Sequence, residues 1–87
     1  MISAFKRSFT DKRGNSREHE IFTLDGQFNH GFLILERTCE GRAVSDHVHV
    51  RYDIGTKEVT EYDGELFLNH YIVATLKEAG IIVPDYL

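Results

Sequence analysis

The chain of 87 residues contains one cysteine, one proline and no tryptophan, and it lacks a long apolar run. A single cysteine, Cys39, excludes a disulfide within the chain and fits a reducing compartment. A helix that crosses a bilayer needs about 20 consecutive apolar residues, so we expect no membrane segment. The first residues also lack the apolar stretch of a secretory signal. The sequence therefore predicts a cytoplasmic protein.

Catalytic signatures are also missing from the sequence. It contains no phosphate-binding glycine-rich loop, no dinucleotide-binding fingerprint and no G-x-S-x-G nucleophile motif. The carboxylates are scattered, and nothing along the chain singles out a base for Cys39. A fold of this size also leaves little room for a substrate pocket of about 300 Å3 or more. We therefore predict a protein that is not an enzyme and needs no cofactor.

The composition indicates one small folded domain, residues 1–87. Hydrophobic residues make up 41% of the chain, which is enough for a modest core, and one proline with 28% charged residues argues against disorder. The net charge of −4 divides unevenly: residues 1–17 carry five basic residues and one acid, whereas residues 18–87 carry five basic residues and thirteen acids. A basic end on an acidic body can attract an anionic partner to that end of the chain. The alternative is that residues 11–17 form only a solvated turn.

Residues 46–54 carry the clearest secondary-structure pattern. They read D-H-V-H-V-R-Y-D-I, an alternation of polar and apolar residues that is typical of a strand with one buried face. The core face would carry Val48, Val50, Tyr52 and Ile54, and the other face His47, His49, Arg51 and Asp53. We predict a strand from about Val44 to Ile54, a turn at 55–57 and a return strand at 58–62. Placing Tyr52 opposite Val59 makes the core faces of the two strands agree.

Three more segments have the patterns of strands. The apolar run at 31–38 is bounded by turn residues and predicts a central strand buried on both faces. Residues 18–24 alternate, and Asp25-Gly26 after them predicts a hairpin turn, because glycine adopts a positive φ without steric cost. Residues 3–10 fit an edge strand, but Ile2, Phe5 and Phe9 also lie at helical spacing. The sequence leaves that choice open.

The segment 64–79 predicts a helix. Asp63 can cap its N-terminus, and Gly80 can adopt the left-handed conformation that ends it. Its apolar stripe is formed by Leu68, Ile72, Leu76 and Ala79. Leu66 and Val73 fall outside that stripe, so the C-terminal tail or another chain must cover them. The predicted fold is α+β, an antiparallel β-meander of four to five strands with one C-terminal helix (about 64–79) packed on one sheet face.

His47 and His49 are the strongest candidates for metal ligands. They lie two residues apart on a strand, so their imidazoles share a face and can hold one zinc ion together. A site needs at least a third ligand, and no residue has a spacing that singles it out. The options are His30, His70, Cys39, Glu58 and Glu61. We therefore predict no metal site and interpret the pair as part of an exposed polar strand face.

We expect a non-catalytic binding module, an adaptor, regulator or inhibitor that acts by contacting another protein. The surplus apolar surface of the helix supports this expectation and makes a homodimer one form of it. The candidate contact residues are His47, His49, Arg51, Leu66 and Val73. The alternative is a small nucleic-acid-binding domain that uses the polar sheet face and a basic N-terminal loop. The candidate contacts in that loop are Lys12, Arg13 and Arg17.

Overall fold

The computed structural model describes residues 2–27, 29–44, 47–63 and 69–85. The strands and the helix in these ranges are β1 (Ile2–Thr10), β2 (Ser16–Gln27), β3 (His30–Cys39), β4 (Arg42–Ala43), β5 (Val48–Asp53), β6 (Val59–Asp63) and α1 (His70–Glu78). The strands form one sheet in the order β1-β2-β3-β5-β6, with antiparallel neighbours, and β4 pairs with the end of β3. The predicted α+β meander with a C-terminal helix is confirmed. No helix in the described part of the chain is long and apolar enough to cross a membrane.

Residues 3–10, which fit either a strand or a helix by sequence, belong to the edge strand β1. This strand pairs with β2, and Phe9 lies opposite Arg17. Phe5 packs against the core. Arg7 lies between the two phenylalanines and reaches the helix, where its Nη1 donates to the carbonyl of Tyr71 at 3.2 Å. A charged side chain that points inward from an edge strand is one way to discourage pairing with other chains.

The core lies between the sheet and α1. Its buried side chains are Ile21, Leu33, Leu35, Val48, Val50, Val59, Ile72, Leu76 and Ile81. Most come from alternate positions along the strands and from one stripe of the helix, as expected of elements with one buried face, and Ile81 comes from the tail after the helix. Ile72 and Leu76, two members of the predicted stripe, are fully buried.

β3 is the central strand, as predicted, but it is not buried on both faces. Leu33 and Leu35 are 2% and 0% exposed. On the other face, Phe32 and Ile34 are only half-buried and Glu36 is exposed. The prediction was wrong because the described helix covers one face of the sheet, and the opposite face of β3 keeps contact with water.

The β5–β6 hairpin has the predicted register, with Tyr52 opposite Val59. Its first strand is shorter than predicted, since β5 does not extend back to residue 44. Asp53 holds the turn, because its Oδ1 accepts hydrogen bonds from the N–H groups of Gly55 and Thr56 at 2.8 and 2.9 Å. A short polar side chain that accepts from the next turn is a common way to fix a reversal.

The turn predicted at Asp25-Gly26 is wrong. β2 continues to Gln27, which pairs with His30, and the register of the β2–β3 ladder shifts just before this pair. The chain reverses with Asn29 at a φ of 68°. Asparagine tolerates this left-handed conformation better than most residues, so the reversal does not need the glycine.

α1 begins after Asn69, whose Oδ1 accepts a hydrogen bond from the N–H of Tyr71 at 2.8 Å. The predicted cap, Asp63, is wrong because that residue pairs with β5 as the end of β6. Residues 64–68 of the predicted helix lie outside the described residues. At the other end, Gly80 has the predicted positive φ, at 87°. Its N–H and that of the next residue donate to carbonyls of the last turn, which completes a Schellman motif.

Candidate functional site

The sheet face opposite α1, here called the open face, has an apolar centre next to His49 and Arg51 on β5, and the acids Asp63 and Glu61 on β6 lie opposite these two residues. It is formed by Phe22, Leu24, Phe32, Ile34, His47, His49 and Arg51. Phe22 on β2 lies opposite Ile34 on β3. In the adjacent row, Leu24 lies opposite Phe32. His49 and Arg51 continue these two rows on β5, so the apolar pairs end at an imidazole and a guanidinium.

A cavity of about 230 Å3 opens on this face and is lined in part by Leu24, Phe32 and Arg51. The guanidinium carbon of Arg51 lies 5.8 Å from the centre of the Phe32 ring. Its Nη1 lies 3.6 Å from Oε2 of Glu61. Its Nε is buried, and in the described part of the chain it has no hydrogen-bond partner. A buried donor without an acceptor is unfavourable, so this atom marks a point where an acceptor from outside would stabilise the face.

The predicted partner contacts do not form one surface. His47 and His49 are both exposed on the open face, with ring centres 5.1 Å apart. Val73 lies on α1, where it is half-buried and lines a separate cavity of about 380 Å3 with the tail residues Ile82 and Val83. The tail therefore lies next to Val73, with this cavity between them. Leu66 lies outside the described residues.

The two histidines gain no additional ligand within the described ranges. Among residues 2–27, 29–44, 47–63 and 69–85, no group of three or more histidines, cysteines and acids is arranged to hold a metal ion. The rings of His47 and His49 are tilted by 30° relative to each other and lie side by side. Both rings lie on the open face and are exposed.

The basic loop between β1 and β2 is an ordered turn built on Asp11. The Oδ1 of Asp11 accepts from the N–H groups of Arg13 and Asn15 at 2.9 Å, and its Oδ2 accepts from Nε of Arg17 at 2.9 Å. The Arg17 hydrogen bond, helped by the backbone donors, lowers the pKa of Asp11 to about 2. Lys12 and Arg13 are exposed, but Arg17 is already committed to an ion pair.

Acidic side chains separate this loop from His47, His49 and Arg51 on the open face. Glu18 and Glu20 on β2 occupy the open-face positions between the loop and Phe22, and Glu36 lies opposite Glu20 on β3. The two parts of the predicted nucleic-acid surface therefore do not join into one basic patch.

A second polar site lies under the helix, and the sequence prediction missed it. A cavity of about 170 Å3, here called the arginine pocket, is lined by Phe9, Arg17, His19, Arg37, Asn69 and Tyr71. His19 and Arg37 are only 3% and 7% exposed, although both side chains are polar. A signal was present, because His19 is in phase with the core residue Ile21 on β2, and Arg37 with Leu35 on β3.

Thr75 organises the polar contacts beside this pocket. Its hydroxyl donates to the carbonyl of Tyr71 at 3.0 Å and accepts from Nη1 of Arg7 at 3.0 Å. The Nδ1 of His19 lies 2.7 Å from the same oxygen, so this network assigns the proton of neutral His19 to Nδ1. Burial, followed by Arg7, Arg37 and Arg17, lowers the pKa of His19 to about 4.

Comparisons with known proteins identify no relative. No protein-family model matches the chain, and neither a curated protein nor a solved structure matches it. The function must therefore be inferred from the residues of this chain and their geometry.

Proposed function

We propose that this protein is a non-catalytic binding module whose partner is another protein, docked on the open face. The observation that carries the proposal is the buried Nε of Arg51, which lacks an acceptor among the described residues and lies beside the exposed Leu24 and the half-buried Phe32. A donor without a partner next to partly exposed apolar side chains is the chemistry of an unoccupied protein interface.

The partner that suits this face has a defined chemistry. It presents an apolar side chain to the groove between Leu24 and Phe32 and a carbonyl oxygen to Arg51, because Glu61 and Asp63 line the same cavity and would repel a carboxylate. A hydrogen bond to a charged donor contributes about 1.5–3 kcal/mol, more than most contacts at the rim of an interface. His47 and His49 are exposed and would contact the partner at the rim of this interface.

A nucleic-acid partner is the alternative, and the charges on the open face weigh against it. Glu18, Glu20 and Glu36 lie between the basic loop and His47, where they would repel a phosphate backbone that contacted both. A protein partner needs only the apolar centre and the Arg51 guanidinium. We therefore favour the protein.

Affinity capture from the native host tests the proposal with two matched variants. Leu24→Asp introduces a charge into the groove, and Ile54→Asp makes the same change at a similarly exposed position outside the open face, since Leu24 is 39% and Ile54 44% exposed. One protein should be recovered stoichiometrically with the wild type and with Ile54→Asp, and lost with Leu24→Asp. Light scattering of the purified chain tests whether that partner is a second copy.

Three results would overturn the proposal. The first is a partner that Leu24→Asp retains, and the second is nuclease-sensitive recovery of nucleic acid in place of a protein. The third is a monomer in light scattering together with no protein captured above background. Circular dichroism of each variant shows that it is folded before its result is used.

A further inference from the structure

The charged residues of the open face restrict which protein can dock there. Acidic side chains lie on two sides of the apolar centre. On β3, Glu36 occupies the open-face position that follows the apolar Ile34. Beyond β5, Glu61 and Asp63 occupy the open-face positions of β6. A partner that covers the apolar centre therefore meets carboxylates on both of these sides.

Basic side chains of the same face balance only part of this charge. The Oε2 of Glu20 lies 3.9 Å from Nζ of Lys6 on β1, and Glu61 is paired with a guanidinium, as described above. In the described part of the chain, no ion pair holds Glu36 or Asp63, and both residues are exposed. The carboxylates of the open face therefore outnumber its lysine and arginine side chains. The formal charge of the whole chain, −4, has the same sign.

This charge weighs against a second copy of the chain as the partner. Two identical open faces packed on each other would bring two sets of carboxylates into one interface. Like charges that face each other in an interface are unfavourable, whereas opposite charges attract a partner to the face and fix its orientation. A basic partner therefore gains from the carboxylates that a second copy would repel.

The apolar groove and Arg51 define where such a partner binds, which the carboxylates alone do not. The cavity of about 230 Å3 is lined by Glu61 and Asp63 as well as by the apolar Leu24. One partner can therefore place a basic side chain and an apolar side chain next to each other. The buried Nε of Arg51 still needs an acceptor, and a backbone carbonyl supplies one without a charge that the carboxylates would repel.

The geometry of the sheet sets the distances between the groups of the partner. Phe32 and Glu36 are four positions apart on β3, which corresponds to about 13 Å. Phe32 and Glu61 lie in one row and are separated by two strand spacings, which correspond to about 10 Å. An extended segment covers either distance in about three to four residues. Its basic residues should therefore lie within about four positions of its apolar anchor.

Given the docking function proposed above, we propose that the partner is a basic protein segment with an apolar anchor. The anchor enters the groove between Leu24 and Phe32, and a backbone carbonyl of the segment accepts a hydrogen bond from Nε of Arg51. Lysine or arginine side chains near the anchor pair with Glu36 or Asp63. The purified chain without this partner is a monomer.

Selection of random peptides displayed on phage, with the full chain as the bait, tests this partner chemistry. The enriched peptides should share one apolar residue with lysine or arginine within about four positions of it. Leu24→Asp should abolish their binding although it adds an acid to the face. Ile54→Asp makes the same change outside the face and should not affect binding. Circular dichroism shows whether each variant is folded, and Leu24→Ala carries the test if Leu24→Asp is not.

Two matched variants measure the contribution of the carboxylates. Glu36→Gln removes an exposed acid from the open face, and Glu78→Gln removes one from α1 on the other side of the sheet. Fluorescence anisotropy gives the dissociation constant of a synthetic copy of an enriched peptide. It should rise about two- to fivefold in Glu36→Gln and stay unchanged in Glu78→Gln. Added salt should weaken the same binding.

Several results would overturn the basic partner and leave the docking function standing. One is a set of enriched peptides that are neutral or acidic but still need Leu24. Another is a dimer of the wild type that Leu24→Asp dissociates, because the partner is then a second copy. The same holds for a dissociation constant that changes equally in Glu36→Gln and Glu78→Gln, or in neither, and for a selection that enriches no peptide. Peptides that bind Leu24→Asp as tightly as the wild type would overturn the docking function as well.

Discussion

Acid should destabilise this fold through His19. The imidazole is 3% exposed and lies between the sheet and α1. The groups that face it are Arg7 from β1, Arg17 from β2, Arg37 from β3, and Thr75 and Tyr71 from α1. The pKa of His19 is lowered from the ordinary 6.5 to about 4. Burial is the main cause, and the three arginines contribute less.

The sign and the size of the effect follow from these two values. The unfolded chain takes up the proton as the pH falls through about 6.5, but the folded chain does so only near 4. The stability that neutral His19 contributes is therefore complete above about pH 7 and is lost between pH 6.5 and 4. One pKa unit corresponds to about 1.4 kcal/mol, so the loss is about 3 kcal/mol in full and about 2 kcal/mol by pH 5. The side chains of Arg7 and Arg17 are 21% and 30% exposed, so solvent screens their charges, and we expect a loss of about 1–2 kcal/mol at pH 5.

Urea denaturation at about pH 7.5 and about pH 5, in a phosphate-free buffer, measures this loss. His19→Gln is the matched variant, because glutamine can still hydrogen-bond to Thr75 but does not titrate. Subtracting the change in the variant from the change in the wild type cancels the contribution of the other titrating groups. Between these two pH values the free energy of unfolding of the wild type should fall by about 1–2 kcal/mol more than that of the variant. Equal losses of unfolding free energy in the two proteins would refute the reasoning. A pKa of His19 at or above the ordinary 6.5 in the folded chain would refute it too.

Three further predictions concern stability, each measured by urea denaturation. Leu35→Ala should lower the free energy of unfolding by about 2–5 kcal/mol, because Leu35 is fully buried. Ile34→Ala on the open face should lower it by about 1 kcal/mol. Equal losses in the two variants would contradict a core on one side of the sheet. Gly31→Ala should cost about 1–3 kcal/mol, because a Cβ there would lie 2.3 Å from Cζ of Tyr52. Tyr52→Ala should remove most of that cost, and a double-mutant cycle without coupling would argue against the contact. Asn69→Ala should cost about 1 kcal/mol, whereas Asn69→Asp should keep the cap; if both variants lose the same amount, the cap does not contribute.

Much of the fold could be predicted because its signals are local. The alternation from Val48 onward determined which face of β5 is buried, and the same alternation after the turn determined the pairing of Tyr52 with Val59. Gly80 determined the end of the helix, since a left-handed residue ends a helix wherever it occurs. The same local pattern correctly assigned His47, His49 and Arg51 to one side of the strand.

The candidate sites depended on contacts that no local pattern contains. The apolar centre of the open face was missed because the run that contains Phe32 and Ile34 has the same pattern whether one or two layers cover the sheet. The start of the helix was predicted wrongly because aspartate and asparagine cap helices equally well, so Asp63 was as good a candidate as Asn69. The pairing of Asp63 with β5 places it in β6 and leaves the cap to Asn69.

By itself, the sequence determined the strand faces, the hairpin register of β5 and β6 and the end of α1, since these depend on residues close along the chain. Only the tertiary structure decided where the polar groups meet. His19 and Thr75 are 56 positions apart, and they touch because α1 crosses the sheet beside β2. The packing of α1 also completed the arginine pocket, because it brought Asn69 and Tyr71 to the buried side chains of His19 and Arg37.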